Sequence, residues 1–168
     1  MDQIKILLVD DEEEFVTTLA ERIKMRLLKT VESLTTAASL AEDGGPDLAR
    51  KHMADQEQKE EKRKRYKEKL GSEIAFNGED ALKIVSDEVP DVMILDLKMP
   101  GMGGMEVLRR IRKQHPTVQV IILTGHGSEK DEKQARELGA FSYLEKPVDV
   151  DEIVAQIKAA YALKTKSH

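Results

Sequence analysis

Two hydrophobic rhythms alternate along this chain. Short, nearly unbroken aliphatic runs, each closing on polar residues, are separated by segments of helical period. Ile4-Lys5-Ile6-Leu7-Leu8-Val9 runs into Asp10-Asp11, Val92-Met93-Ile94-Leu95 into Asp96, and Val118-Gln119-Val120-Ile121-Ile122-Leu123 into Thr124-Gly125. A fourth run, Phe141-Ser142-Tyr143-Leu144, ends at Lys146-Pro147, and a weaker one, Glu73 to Phe76, precedes Asn77-Gly78. Runs of this length and β-branched content predict strands buried on both faces, as in parallel sheets. The intervening segments predict helices over Glu79 to Val85, Met105 to Ile111 and Glu132 to Leu138, and from about Asp149, where Ile153, Ile157 and Tyr161 share one face.

Strand and helix thus alternate five times. That order predicts an α/β fold with right-handed crossovers and a doubly wound parallel sheet. Ligands of such sheets lie outside the carboxyl ends of the strands, near the point where strand order reverses. Asp10, Asp11, Asp96, Thr124 and Lys146 all terminate strands, so the architecture would gather them at one edge.

One stretch breaks the alternation. From Leu27 to Leu70 no strand intervenes, and Ala20, Ile23, Leu27, Thr30, Leu34, Ala37 and Ala41 continue the first helix at spacings of three and four. Gly44-Gly45-Pro46 breaks this stripe, and Asp47 to Lys69 contains neither glycine nor proline. An antiparallel helical hairpin over 27–70 is predicted, inserted between 1–26 and 71–164, with 165–168 as a tail. Its outgoing arm would add about 24 Å and its return about 36 Å. The hairpin suits self-association or docking. Its basic cluster Lys62-Arg63-Lys64-Arg65 sits among ten bases and nine acids in 27–70, which fits a solvated helix face better than a nucleic-acid site.

Composition narrows the chemistry. The chain has 168 residues, 32 acids against 27 bases, a net charge of −5 and no cysteine. Disulfides, thiol catalysis and thiolate metal sites are excluded, and the acidic balance argues against a chain built to coat nucleic acid. No signal peptide or membrane-spanning run is visible, so a cytoplasmic location is expected.

Three carboxylates meeting at one edge repel one another, by roughly 4 kcal/mol per pair at ~4 Å and an effective dielectric near 20. A divalent cation or raised pKa values would relieve them. Oxygen-only ligands favour Mg²⁺, or Mn²⁺ in its place. With the ammonium of Lys146 and the hydroxyl of Thr124, such an ion would stabilise a phosphoryl oxyanion. Asp96, at the end of a central strand, is the candidate nucleophile. Taken singly, Asp10-Asp11 could equally be a helix cap and Thr124 a turn residue.

The motifs Ile6-Leu7-Leu8-Val9-Asp10-Asp11-Glu12, Asn77-Gly78-Glu79-Asp80-Ala81-Leu82, Pro90 to Met102, Ile122-Leu123-Thr124-Gly125 and Gly139 to Pro147 together resemble the receiver domain of two-component response regulators, of the single-domain chemotaxis type. The resemblance covers 2–26 and 71–164. It implies a flavodoxin-like sheet of order 2-1-3-4-5. It further implies that Asp96 accepts a phosphoryl group from a sensor histidine kinase or phosphotransfer protein, as a phosphoacceptor and not an enzyme. Asp11, Asp96 and the backbone carbonyl of Lys98 would hold Mg²⁺, with Asp10 acting through water. Lys146 would pair with phosphoryl oxygens, Thr124 would move to bond them, and Tyr143 would swing inward behind it. The fourth helix, fifth strand and last helix would present the result to a downstream protein, while Lys98 and His126 would tune hydrolysis. By the same likeness Lys146-Pro147 is a cis candidate.

Two other functions compete. A structural dimerisation module could keep a receiver fold without its chemistry. An Asp-nucleophile, metal-dependent phosphohydrolase is the other, although the haloacid-dehalogenase-like pattern needs a second Asp where this chain has Lys98.

Overall fold

The structure is a computed structural model that describes residues 4–36 and 71–166. Five strands, β1 (Ile6–Val9), β2 (Ser72–Ala75), β3 (Val92–Leu95), β4 (Gln119–Thr124) and β5 (Ser142–Glu145), alternate with α1 (Glu13–Thr36), α2 (Gly78–Asp87), α3 (Gly104–Gln114), α4 (Glu129–Glu137) and α5 (Val150–Lys166). All strand pairs are parallel and their order is β2-β1-β3-β4-β5, as predicted.

Alternate residues of each strand feed two separate cores. Leu7, Val9, Met93, Leu95, Val120 and Ile122 pack with Ala81 and Val85 of α2, Leu108 and Ile111 of α3, and Ala135 of α4. Ile6, Leu8, Val92, Ile94, Ile121 and Leu123 pack on the opposite face with Val16, Ile23 and Leu27 of α1 and Ile153 and Ile157 of α5. Because both faces are covered, β1, β3 and β4 read as continuous apolar runs instead of alternating ones. β2 lies at an edge with its first two residues exposed, which explains its weak pattern. It ends at Ala75, one residue earlier than expected. Ala75 pairs with Val9, and its carbonyl accepts the Asp10 N–H at 3.1 Å, which leaves Phe76 beyond the strand and exposed.

Capping moves other boundaries. α4 begins at Glu129, a turn before its apolar period, because Ser128 and Asp131 form a reciprocal capping box. Asn77 caps α2 by accepting the Asp80 N–H at 2.8 Å, so that helix opens at Gly78. α5 continues to Lys166, two residues beyond the expected boundary at 164.

α1 runs unbroken past Leu27 to Thr36, a helix of 24 residues and about 36 Å. The outgoing arm is helical to that point. The Gly44-Gly45-Pro46 turn and the returning helix lie outside the described residues.

Ile111 is fully buried where α3 meets the sheet. Ile111→Ala is expected to cost about 2–5 kcal/mol through lost burial and a residual cavity. A urea unfolding midpoint unchanged from the parent would show that α3 is not seated on this core.

Candidate functional site

The sheet delivers the predicted residues to one edge. β1 and β3 are neighbours, and the chain leaves them toward opposite sides of the sheet, so Asp10 and Asp96 flank the point of reversal. The Asp96 N–H donates to the Val9 carbonyl at 2.9 Å, which locks the two strand ends together. Asp10, Asp11 and Asp96 each bring a carboxylate oxygen into one group within 4.8 Å. Asp10 and Asp96 are buried, whereas Asp11 is exposed at the mouth.

Lys146 reaches this group from the far side of the sheet. Its Nζ donates to Asp10 Oδ2 at 2.6 Å and to Glu12 Oε1 at 3.3 Å, and lies 4.0 Å from the centre of the Phe15 ring. The Lys146 N–H donates to the Thr124 carbonyl at 2.9 Å, which fixes the lysine's origin beside Thr124. The following Lys146-Pro147 bond is cis, as the family likeness suggested. Asp10 Oδ1 accepts the Glu12 N–H at 2.9 Å, and Asp96 Oδ1 accepts the Lys98 N–H at 3.3 Å. The turn after β3 thereby brings the backbone of Lys98 against Asp96. The Lys98 side chain points to solvent and pairs with Asp131 at 3.6 Å.

Charge in the niche is unbalanced, with three carboxylates around one ammonium. Burial pushes the Asp10 carboxyl above its ordinary value, and hydrogen bonds from Lys146 and the Glu12 N–H offset this only partly. For Lys146 burial acts downward, but Asp10, Asp96 and Glu12 outweigh it and raise the ammonium's pKa. Burial thus governs the Asp10 carboxyl, with the charge of Asp96 adding to it, whereas the surrounding carboxylates govern Lys146. An oxygen-only donor set with surplus charge, partly buried, fits a hard divalent cation.

Thr124 is wholly buried, and its Oγ1 has no hydrogen-bond partner among the described residues; the same holds for the Tyr143 hydroxyl. Tyr143 is buried, turned inward toward Thr124 and Gly127. His126 is exposed on the loop after β4. Sequence reasoning gave no role to Glu12, Phe15, Gly104 or Gly127. Glu12 had a signal in its place beside the aspartate pair. Phe15 had none, since its contact with Lys146 spans most of the chain. At Gly104 a Cβ would collide with the Asp96 carbonyl and approach Leu97 Cα to 2.8 Å, so α3 can start this close to β3 only with glycine there.

Fold and niche together define a class: doubly wound parallel sheets with an acidic, cation-type pocket at the reversal point, flanked by a buried threonine and a lysine. Residues 61–158 match the response regulator receiver domain, and the chain belongs to that family of two-component signalling proteins. It is 42% identical over 91 residues to sporulation initiation phosphotransferase F of Bacillus subtilis, covering 54% of this chain and 73% of that protein. It is also 42% identical over 84 residues to the DNA-binding transcriptional regulator NtrC of Escherichia coli K12, but spans only 18% of NtrC's length. Among solved structures, a CheY-like receiver domain protein from Methanospirillum hungatei superposes with a TM-score of 0.71 at 20% identity, covering 99% of this chain and 100% of that one. A receiver domain protein from Clostridium thermocellum gives 0.65 at 26% identity, covering 98% and 99%. Receiver domains bind Mg²⁺ through acidic residues and interact with histidine kinases or phosphotransfer proteins, and the aspartate group fits that ion.

The raised Asp10 pKa sets a sign. Between its ordinary value of 3.8 and its folded value, the folded state holds more protons than the unfolded one, so without divalent cation this group's contribution to stability falls as pH rises. Mg²⁺ needs ionised ligands and acts oppositely. At one hundred times its Kd it should add about 2.7 kcal/mol at neutral pH. Thermal melts with MgCl₂ are expected to show a shift at pH 7 that shrinks near pH 4.5 and is lost in Asp11→Asn. A shift that survives this substitution would place the ion elsewhere.

Proposed function

We propose that this chain is a phosphoacceptor switch of a two-component phosphorelay, with Asp96 as the acceptor. The carrying observation is the meeting of Asp10, Asp11 and Asp96 within 4.8 Å, with the Lys146 ammonium 2.6 Å from Asp10. A carboxylate oxygen of Asp96 attacks phosphorus of a phosphohistidine. The new P–O bond forms as the P–N bond breaks, and the bonding electrons leave with the imidazole. Asp11, Asp96 and the Lys98 carbonyl would hold Mg²⁺, with Asp10 acting through water, and the ion would supply positive charge to the phosphoryl oxygens. Lys146, already held at the niche, exchanges part of its contact with Asp10 for a phosphoryl oxygen. Thr124 offers a buried hydroxyl that has no partner among the described residues. On this reading the protein is not an enzyme toward an outside substrate, and it works in the cytoplasm. Among the described residues no helix is long and apolar enough to cross a membrane.

A groove of about 610 Å³ runs beside Lys146 between the start of α1 and the β5–α5 turn, lined by Phe15, Leu19, Pro147 and Val148 with Glu12 and Arg22 at its rim. An apolar floor with charged edges suits a helix of the kinase or phosphotransfer protein. The relationship to sporulation initiation phosphotransferase F supports such a partner. A downstream protein would read the face formed by α4, β5 and α5. Lys98 and His126, at the mouth, would tune how fast water removes the phosphoryl group.

The phosphohydrolase alternative gains no support at residue 98, where a lysine pairs with Asp131 in place of a second acid. The hairpin would serve as a dimerisation or docking arm, and the continuous helix to Thr36 supports a helical start to it. Molar mass in solution tests it, since a monomer at all concentrations excludes a dimer through the arm.

Incubation with Mg²⁺ and acetyl phosphate, followed by intact-mass analysis, is expected to show one added phosphoryl group. The adduct should be absent in Asp96→Asn and strongly reduced in Lys146→Ala. No adduct from any small donor or histidine kinase would sink the proposal.

A further inference from the structure

Tyr143 and Thr124 present a contradiction. Both hydroxyls are buried, and neither finds a hydrogen-bond partner among the described residues. Burying such groups unsatisfied is unfavourable, and burial together with Asp131 and Glu145 also raises the Tyr143 pKa, so polar contacts do not explain why the phenol sits inward. Shape does. A Cβ at position 127 would lie 2.9 Å from Tyr143 Cζ, closer still to its phenolic oxygen, and 3.0 Å from Thr124 Cγ2. The ring tip occupies the space that any side chain at 127 would fill.

We propose that Gly127 is a positioning residue of the acceptor site: its missing side chain forms the slot that seats Tyr143 behind Thr124. This rests on the phosphoacceptor reading for its consequence, but the seating itself is a property of the resting protein. Thr124 is the shared element. It ends β4 with its hydroxyl buried and without a partner among the described residues, while its methyl forms a wall of the slot, so a substituent at 127 presses on Thr124 as well as on the ring.

Gly127 is well suited to the test because its backbone does not demand glycine. Among the described residues only Gly101 and Gly139 have positive φ. Alanine at 127 is therefore unstrained in its backbone and acts through the clash alone. What gives way is the far end of Tyr143, a side chain that can rotate outward.

The chain has three tyrosines, Tyr66, Tyr143 and Tyr161, and no tryptophan. Labelling with 3-fluorotyrosine gives a small set of ¹⁹F resonances, with Tyr143 assigned by Tyr143→Phe. In Gly127→Ala, without any phosphodonor, the Tyr143 resonance is expected to move to the solvent-exposed position and gain solvent isotope sensitivity. A double-mutant cycle separates this from simple loop damage. The melting-point loss caused by Gly127→Ala should vanish in a Tyr143→Ala background, where the slot is empty. If Gly127→Ala alone fails to fold, recovery of folding by Tyr143→Ala supports the slot equally, and failure to recover counts against it. With acetyl phosphate, Gly127→Ala should be phosphorylated several-fold more slowly while the Mg²⁺-induced melting shift is kept. An unmoved Tyr143 resonance, or an equal loss of melting point in both backgrounds, overturns the seating role. Failure of the parent protein to take up phosphoryl would instead count against the acceptor reading and leave the first two measurements standing.

Discussion

The ion pair between Lys146 and Asp10 is the contact on which the site depends. It joins residues 136 positions apart, at the ends of strands that are not neighbours in the sheet, and it does so largely out of water. A buried pair of this kind adds little net stability when intact, but losing either partner leaves the other charge stranded, at a cost of about 3–5 kcal/mol. Its value here is positional. The lysine spans the mouth of β3 and β4, so any anion added at Asp96 arrives next to a cation that is already desolvated and aimed. The surplus of carboxylate over ammonium keeps this cation charged and leaves a donor set that fits a divalent ion.

The two-core sheet makes that contact possible. With α1 and α5 on one face and α2, α3 and α4 on the other, every strand end is held in depth by packing from both sides. The backbone that carries the polar residues after the strands is fixed by this packing, so their side chains are free to pair with one another. The hydrogen bonds from Asp10 N–H to Ala75 and from Asp96 N–H to Val9 extend the strand ladder by one residue into the site. The acidic side chains therefore inherit the rigidity of the sheet, while Asp11, one residue further on, is already exposed.

Much of this was legible in the sequence because it is written in periodicity. Double-sided burial turns strands into aliphatic runs, and the first one or two polar residues after each run mark a strand end. That logic found Asp10, Asp96, Thr124 and Lys146 together. The apolar period by itself starts α4 only at Glu132, because the first turn that Ser128 and Asp131 cap is polar, and it places β2 one residue late because an edge strand is only half written in apolar residues. Phe15 beneath Lys146 and Gly104 against Asp96 were invisible for another reason. Their significance lies in what stands opposite them in space, and spacing along the chain carries no trace of it.

The same distinction explains how a rigid sheet can carry a movable signal. Charge is gathered at the ends of β1 and β3, the Thr124 hydroxyl at the end of β4 has no partner among the described residues, and the Tyr143 ring beside Thr124 is held by packing in the core and by the space at Gly127. A buried hydroxyl without a partner weakens the hold on the position it occupies. A ligand shifts such an element by as much as its affinity for the two arrangements differs. An anion that engages the Thr124 hydroxyl would satisfy one buried group directly and alter the wall against which the other rests. On the phosphoacceptor reading, niche and slot would be coupled through this one side chain.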